Sequence, residues 1–147
     1  MKLTLQKIDK GTEEVIIKYR QMTEQIDHIV RYIEGKGEKL AGLKDGQEYM
    51  LCISDVIYLE SVEGVTYLYT EQEVYKSNLT LAVAEAIYTE EGLFRYSKSM
   101  VINMYRIERL KSMAGNRIDV TMDNGEHVIV SRRYAKELRA ILKEGRQ

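Results

Sequence analysis

FRYSKSMVIN, residues 94–103, is the stretch of sequence on which the interpretation of this fold depends. Its apolar residues can anchor a loop on a hydrophobic core, so that its polar residues stand on an exposed edge. The hydrogen-bond donors expected on this edge are Arg95, Lys98 and Ser99. Such side chains can serve both phosphates and base edges, and they suit acid/base catalysis poorly. Asn103 can either hold the backbone of a turn with its amide or contact a base directly.

A second run, VSRRY at residues 130–134, places two arginines where a helix normally favours acidic side chains. Arg132 and Arg133 fall in the first turn of a predicted C-terminal helix, and the helix dipole disfavours cations there. A bound phosphate would compensate, because free backbone amides and guanidinium groups would hold it together. An arginine could equally contact guanine in a major groove, or pair with Glu126, Glu137 or the acidic middle of the chain.

Charge is distributed unevenly along the chain, although the net charge is only −1. Residues 1–50 are neutral overall, residues 51–93 carry a net charge of −7, and residues 94–147 carry +6. Both stretches quoted above lie in the positive third. This asymmetry points to nucleic acid or an acidic surface as the partner. Alternatively, the acidic and basic thirds neutralise each other across a sheet.

Composition limits the classes of function that remain. A chain of 147 residues with 44% hydrophobic content can bury one good core. Cys52 lies in an apolar run and is expected to be a buried hydrophobe rather than a redox group. One cysteine and two distant histidines, His28 and His127, are too few for zinc, so no metal or other cofactor is expected. No apolar stretch approaches the roughly 20 residues that span a bilayer, and no signal peptide is evident, so we expect a cytoplasmic protein.

Residues 1–45 are predicted to form a small unit of their own. Residues 3–8 and 15–19 have the pattern of two short strands around a turn at Gly11. Apolar residues at helical spacing between positions 22 and 33 predict an amphipathic helix, and residues 40–43 predict a third strand. This β-β-α-β unit buries little area alone, so we expect it to pack on the rest of the protein or to support dimerisation. The turn at residues 44–46 is the expected boundary.

Residues 46–147 are predicted to form a second, mostly antiparallel β domain. Strands are expected at residues 53–60, 65–70, 73–77, 105–112, 116–122 and 126–130. The tyrosines on them suit the half-buried surface of a sheet better than base stacking. Asn124-Gly125 predicts a hairpin turn with positive φ at both positions. A short helix capped by Ser77 or Asn78 and a final helix capped by Ser131 complete an α+β fold.

Residues 47–142, about two-thirds of the chain, resemble the LytTR-type DNA-binding domain of bacterial transcription regulators. DVIYLES at residues 55–61 is similar to the family's first strand, and Leu79 to the start of its short helix. FRYSKS resembles a family motif in which a phenylalanine and a basic residue precede histidine or serine and a final serine. VIN at residues 101–103, Ile107, Asn124-Gly125 and VSRRY complete the pattern. Many members carry a receiver domain upstream, which residues 1–44 are too few to form.

The resemblance implies an elongated β fold whose loops enter successive major grooves of double-stranded DNA. It implies that three residues of these loops contact bases: Thr66, Lys98 and Arg132. It implies that four others position the DNA backbone: Arg95, Ser99, Arg117 and Arg133. Lys98 follows Ser97 where many members carry a histidine, so the base preference does not transfer, and Lys98 could contact a base or a phosphate.

The sequence therefore predicts a sequence-specific DNA-binding transcriptional regulator without enzymatic activity. We expect it to act as a homodimer on repeated promoter sites. The alternative is a basic interaction module that binds RNA or an acidic protein partner. Steep dependence of DNA affinity on salt would separate the two, because phosphate contacts release counterions.

Overall fold

The computed structural model of the chain describes residues 1–35 and 37–144, and the side chain of residue 144 lies outside this description. The chain divides into two compact units, Met1–Lys36 and Gly37–Gln147. This boundary differs from the expected one at residues 44–46. Asp45 and Gly46 form the turn of a hairpin inside the second unit, and both have positive φ, 51° and 74°. The turn residues that suggested a domain boundary are those of a two-residue hairpin turn and not of a linker.

The first unit contains the predicted amphipathic helix, α1 (Glu24–Ile33). Thr23 caps its N-terminus, since the Thr23 hydroxyl accepts a hydrogen bond from the Ile26 amide at 3.2 Å. Glu24 and Asp27 in the first turn complement the helix dipole.

The two strands expected at residues 3–8 and 15–19 are not formed. Their large side chains remain exposed, and Leu5, for example, is 86% exposed. Alternating apolar residues favour an extended conformation, but a strand also needs a partner, and an isolated two-stranded hairpin is marginal in water. The prediction of a β-β-α-β unit is therefore wrong in its two first strands, and its third strand belongs to the second unit.

A seven-stranded antiparallel sheet forms the centre of the second unit. Its strands lie in the order β2-β1-β5-β4-β3-β7-β6. Their bounds are β1 (Lys39–Lys44), β2 (Gln47–Cys52), β3 (Tyr58–Val62), β4 (Val65–Tyr69), β5 (Val74–Ser77), β6 (Leu93–Arg95) and β7 (Met100–Asn103). The strands β2, β6 and β7 were not predicted, and residues 94–103 form a strand pair where an anchored loop was expected. Cys52 at the end of β2 is partly exposed instead of buried.

A three-stranded antiparallel sheet and two helices complete this unit. The sheet order is β10-β9-β8. The bounds are β8 (Ile107–Met113), β9 (Arg117–Met122), β10 (His127–Val130), α2 (Leu81–Ile87) and α3 (Arg132–Glu144). The cap of α2 is Thr80, whose hydroxyl accepts from the Val83 amide at 3.2 Å, rather than Ser77 or Asn78. The predicted α+β class with a mostly antiparallel sheet is confirmed.

FRYSKSMVIN and the residue before it contribute to both cores of the second unit. Leu93 and Val101 pack in one core with α2, whereas Phe94 and Ile102 pack in a second core with β9 and α3. Successive residues of a strand point to opposite faces, so β6 and β7 can bury apolar side chains on both faces of the sheet. This pairing leaves the turn between them at the end of a firmly packed hairpin.

The Asn124-Gly125 hairpin is formed, but only Gly125 has positive φ, at 89°. The Gly125 amide donates to the Met122 carbonyl at 2.9 Å, and the Met122 amide donates to the Glu126 carbonyl at 2.8 Å. These bonds are typical of a hairpin loop longer than two residues, in which a tight turn is followed by a glycine in the left-handed region. Such a loop needs positive φ at one position, whereas the expected two-residue turn needs it at two.

Arg106 connects this hairpin to the seven-stranded sheet. Its guanidinium Nη1 donates to the Ser54 carbonyl at 3.0 Å, and Nη2 donates to a Glu71 carboxylate oxygen at 2.9 Å. Nε lies 2.7 Å from Asp123 Oδ2 but is not aligned for a hydrogen bond, so this contact is an ion pair. The acidic and basic thirds of the chain therefore meet at Arg106, which links the β4–β5 loop to the β9–β10 loop.

Candidate nucleic-acid interface

The turn between β6 and β7, residues 97–99, exposes two of the expected DNA-contacting side chains. Lys98 and Ser99 are both exposed. The turn is held internally, since the Ser97 amide donates to the Met100 carbonyl at 3.4 Å and the Ser99 amide donates to Ser97 Oγ at 3.3 Å. Lys98 thus stands on a constrained turn that projects from the central sheet.

Arg95 holds this turn from inside. Its guanidinium donates to the Ser97 carbonyl at 3.3 Å and to the Lys98 carbonyl at 2.6 Å. The Arg95 amide donates to a Glu85 carboxylate oxygen on α2 at 2.6 Å. The sequence pointed to a DNA-contacting arginine, whereas the guanidinium here is engaged with the backbone of the turn and the side chain is half-buried.

Asn103 is fully buried and organises the backbone, as the first of the two interpretations of this residue held. Its amide nitrogen donates to the Ile53 carbonyl at 3.1 Å and to the Val56 carbonyl at 2.9 Å. Its amide oxygen accepts from the Tyr105 amide at 3.0 Å. A direct contact between this side chain and a base is incompatible with that burial.

Thr66 does not occupy a loop. It lies within β4, opposite Ser61 on β3 and Ser77 on β5, and is only 5% exposed. The expected loop position of Thr66 is wrong, because strand pairing on both sides places the residue inside the sheet. Its contact with a base stays a prediction. The hairpin tip itself is formed by Glu63 and Gly64.

A second positively charged surface lies between α3 and the turn joining β8 to β9. It is a groove of about 500 Å³, which we call the basic groove. Its cationic lining residues are Arg117, Arg132, Lys136 and Arg139. Two of them are oriented by the protein, since Arg117 Nε donates to the Ala114 carbonyl at 3.1 Å and Arg139 Nη2 donates to Ser112 Oγ at 2.8 Å.

Strand pairing explains why Arg117 and Arg132 meet there. Val130 at the end of β10 lies opposite Ile118 at the start of β9. The chain then enters α3 beside the residue that begins β9, which is Arg117. Both residues were predicted to contact DNA, but their common groove was not predicted.

Lys136 and Arg139 were missed, although the sequence contained the signal. Together with Arg132 they stand at positions i, i+4 and i+7 of α3, which share one helical face. The apolar face of the same helix carries Ala135 and Leu138 into the second core. The charged face is therefore the one that α3 leaves open.

The cations of the basic groove have no carboxylate partner among residues 1–35 and 37–144. The expected alternative, in which Arg132 and Arg133 pair with Glu126 or Glu137, is not seen in this part of the chain. Arg133 is exposed, and its guanidinium carbon lies 5.4 Å from the centroid of the Tyr134 ring. Unpaired guanidinium groups at a helix N-terminus are suited to bind phosphate.

The tyrosines of the sheet serve packing, as expected. The rings of Tyr58 and Tyr69 stack with centroids 4.5 Å apart, and the Tyr69 hydroxyl donates to a Glu60 carboxylate oxygen at 2.8 Å. Burial, followed by a hydrogen bond to Glu126, raises the pKa of Tyr58. Burial raises the pKa of Tyr96 to about 12. Tyr58 and Tyr69 are half-buried and Tyr96 is buried, which agrees with a role in packing rather than in base stacking.

None of the helices in residues 1–35 and 37–144 is long and apolar enough to cross a bilayer. That part of the chain also contains no cluster of three or more His, Cys, Asp or Glu side chains that could hold a metal ion.

Comparison with known proteins agrees with this geometry. The model of the LytTr DNA-binding domain family matches residues 46–143. A LytTr DNA-binding domain of a methyl-accepting/DNA response regulator from Bacillus cereus superposes with a TM-score of 0.66 and 25% identity, covering 72% of this chain and 98% of that one.

Two curated relatives differ in how much of their length is matched. The sensory transduction protein LytT of Bacillus anthracis is 30% identical over 91 residues, which cover 62% of this chain and only 37% of that protein. A Staphylococcus aureus protein named as an HTH-type transcriptional regulator is 28% identical over 142 residues, covering 95% of this chain and 96% of the relative. The chain thus spans little more than a third of that LytT protein. The family match, the shared fold and the open basic surfaces lead to one conclusion: the chain belongs to the LytTr DNA-binding domain family.

Proposed function

We propose that this protein is a transcriptional regulator that binds specific DNA sequences through two separate elements of one domain. One element is the β6–β7 turn with Lys98, and the other is the basic groove. The observation that carries this proposal is the set of groove cations without carboxylate partners among the described residues. Cations left unpaired at a surface are available to phosphates, and arginine can also contact guanine in bidentate fashion.

The proposal divides the roles among these side chains. We propose that Lys98 and Arg132 contact base edges and that Ser99, Arg117 and Arg133 position the DNA backbone. Lys136 and Arg139 extend the phosphate-binding surface along α3. Arg95 supports Lys98 from within the turn, and Thr66 contributes to the sheet.

Substitution of Arg132 tests this division. R132A should weaken binding to a promoter site and lower discrimination between sequences by about 1–3 kcal/mol, because a bidentate base contact is lost. R139A should weaken binding to all sequences alike and reduce the salt slope by about one unit, because a phosphate contact is lost. Fluorescence anisotropy across a range of salt concentrations measures both effects.

R109A is the matched control, since Arg109 is exposed on β8 and does not line the groove. It should leave affinity and salt slope close to those of the unmodified protein. If R132A lowers the affinity for every DNA sequence equally, Arg132 contacts a phosphate and not a base. Equal affinity for RNA or for an acidic protein would contradict the assignment of DNA as the ligand, and the family match gives that alternative no support.

We also propose that the protein acts in the cytoplasm, without catalysis, as a homodimer on repeated promoter sites. Residues 1–45 are the proposed contributors to dimerisation, since the first unit exposes Leu5, Ile16 and other apolar side chains. I16D should lower the sedimentation mass, whereas T12D at an exposed polar position should not. An unchanged mass in I16D would remove the first unit from the interface.

A further inference from the structure

The two sheets of the second unit have four edge strands, and they are protected unequally. An unprotected edge exposes amides and carbonyls to which another strand can add. At β6 the amides are occupied, because the Arg95 amide donates to the Glu85 carboxylate at 2.6 Å and the Leu93 amide donates to the Tyr88 carbonyl at 3.2 Å. Helix α2 therefore closes the β6 edge.

The edges of the smaller sheet are protected differently. The β8 strand carries exposed charged side chains, including Arg109 and Lys111, and charged edge residues oppose strand addition. The β10 strand has only four residues, His127–Val130, and leads directly into α3. A short edge offers little backbone to a partner.

The β2 edge has none of these protections among the described residues. It is six residues long, Gln47–Cys52, and pairs with β1 alone. Its single charged residue is Glu48, and the apolar side chains at its centre are exposed, 40% for Tyr49 and 60% for Met50. A strand of this length with exposed apolar side chains favours association with another strand.

The register of β2 on β1 identifies the backbone groups that are free. The Ile53 amide donates to the Glu38 carbonyl at 3.1 Å, just beyond the paired residues Cys52 and Lys39. Because bonding alternates along an antiparallel pair, the odd-numbered residues of β2 direct their amides to β1. Glu48, Met50 and Cys52 therefore direct their amides and carbonyls to the open side.

We propose that β2 pairs antiparallel with β2 of a second copy of this chain, which gives the homodimer of the proposed function a specific contact. A two-fold axis at Met50 uses all three outward amides and sets Met50 opposite Met50 of the other copy. It also sets Tyr49 opposite Leu51 and Glu48 opposite Cys52, so the two glutamates do not face each other. The contact is isologous, as a two-fold dimer requires, and it joins the two seven-stranded sheets into one.

Two variants of the full chain at Met50 test the contact. M50P removes an outward amide and no hydrogen bond to β1, and proline is tolerated where an edge amide faces solvent. M50K keeps the backbone and adds a charge that opposes strand addition. In sedimentation velocity at about 5–100 µM, the range suited to a small interface, we expect the unmodified protein to reach twice the chain mass and both variants to stay at the chain mass.

V74K is the matched control, because Val74 is 44% exposed on β5, inside the sheet, and it should remain dimeric. Thermal unfolding shows whether each variant is folded. The edge contact is overturned if the unmodified protein is monomeric in this range, or if folded M50P and M50K both remain dimeric. Loss of the dimer in I16D alone would assign the interface to the first unit instead.

The proposed edge contact and the proposed DNA binding can be tested independently of each other. A single promoter site binds to Lys98 and the basic groove, which contain no β2 residue. Monomeric M50K should therefore keep its affinity for a single site and lose only the added affinity for two neighbouring sites. If neither the unmodified protein nor M50K binds DNA, the function is wrong, whereas the sedimentation masses still decide the edge contact.

Discussion

Asn103 shows how a polar residue within a DNA-binding motif can serve the fold. Its side chain satisfies two carbonyls and one amide of the backbone around the turns at residues 53–56 and 103–105. The two hydrogen bonds to carbonyls are buried and the bond from the Tyr105 amide is partly buried, so they are costly to lose. The sequence could suggest this role but could not establish it, because the two carbonyl partners, Ile53 and Val56, are about 50 positions away along the chain.

N103A should lower the free energy of unfolding by about 3 kcal/mol or more, because several buried backbone groups lose their partner at a cost of about 1–3 kcal/mol each. Chemical denaturation measures the change. N78A, at an exposed position, is the control and should change stability by less than about 0.5 kcal/mol. A loss no larger than that of the control would show that water replaces the amide.

Tyr96 should make stability depend on pH in the alkaline range. Burial raises its pKa from 10.0 to about 12, so the unfolded chain loses this proton more readily than the folded one. The resulting stability is fully present below pH 10 and is lost as pH rises towards 12. Y96F should lose less stability over this interval in denaturation experiments, with Y32F at an exposed position as control. Parallel curves for Y96F and the unmodified protein would contradict this role.

At the scale of elements, sequence pattern identified most strands of the second unit but not which strands meet. Alternation of apolar and polar residues reflects the two faces of a strand, whereas strand pairing depends on partners that are distant in sequence. The predicted strand at residues 65–70 already included Thr66, and it was the family resemblance that placed this residue in a loop. Residues 3–8 and 15–19 were assigned to strands that have no partner in this structure. Arg117 and Arg132 were found by resemblance, but their common groove required the register of β9 and β10.

Gly92 joins α2 to β6 at a position where only glycine fits. Its φ is +98°, and a Cβ there would lie 2.7 Å from Tyr105 Cδ2. Gly125 has a similar φ of +89° with no atom within 4 Å, so G125A measures the cost of the backbone alone. G92A should cost about 1–3 kcal/mol more than G125A in thermal or chemical unfolding, because it adds a steric overlap. Equal costs would show that the Tyr105 ring moves aside freely.

At the scale of the second unit, Arg106 connects loops from the two sheets that carry the proposed DNA-binding elements. Its side chain is only 18% exposed and contacts Ser54, Glu71 and Asp123. The seven-stranded sheet carries Lys98, and the three-stranded sheet leads to Arg132. The geometry of the interface therefore depends on how firmly the two sheets are joined.

R106Q should destabilise the protein by about 1–3 kcal/mol, because a partly buried charged network loses its central cation. Amide hydrogen exchange should accelerate in the β4–β5 and β9–β10 loops, which the guanidinium joins. R109Q, which changes an exposed arginine nearby in sequence, should alter neither quantity. Unchanged exchange in both loops of R106Q would mean that the second core alone fixes the sheets.

The support of the β6–β7 turn has a consequence for how such proteins diversify. Arg95 grips main-chain oxygens of Ser97 and Lys98, and these are present whatever side chain occupies position 98. The backbone conformation of the turn therefore does not depend on the side chain at position 98. Under the role proposed for Lys98, exchange of that single side chain changes the operator preference without any change in the backbone that supports it.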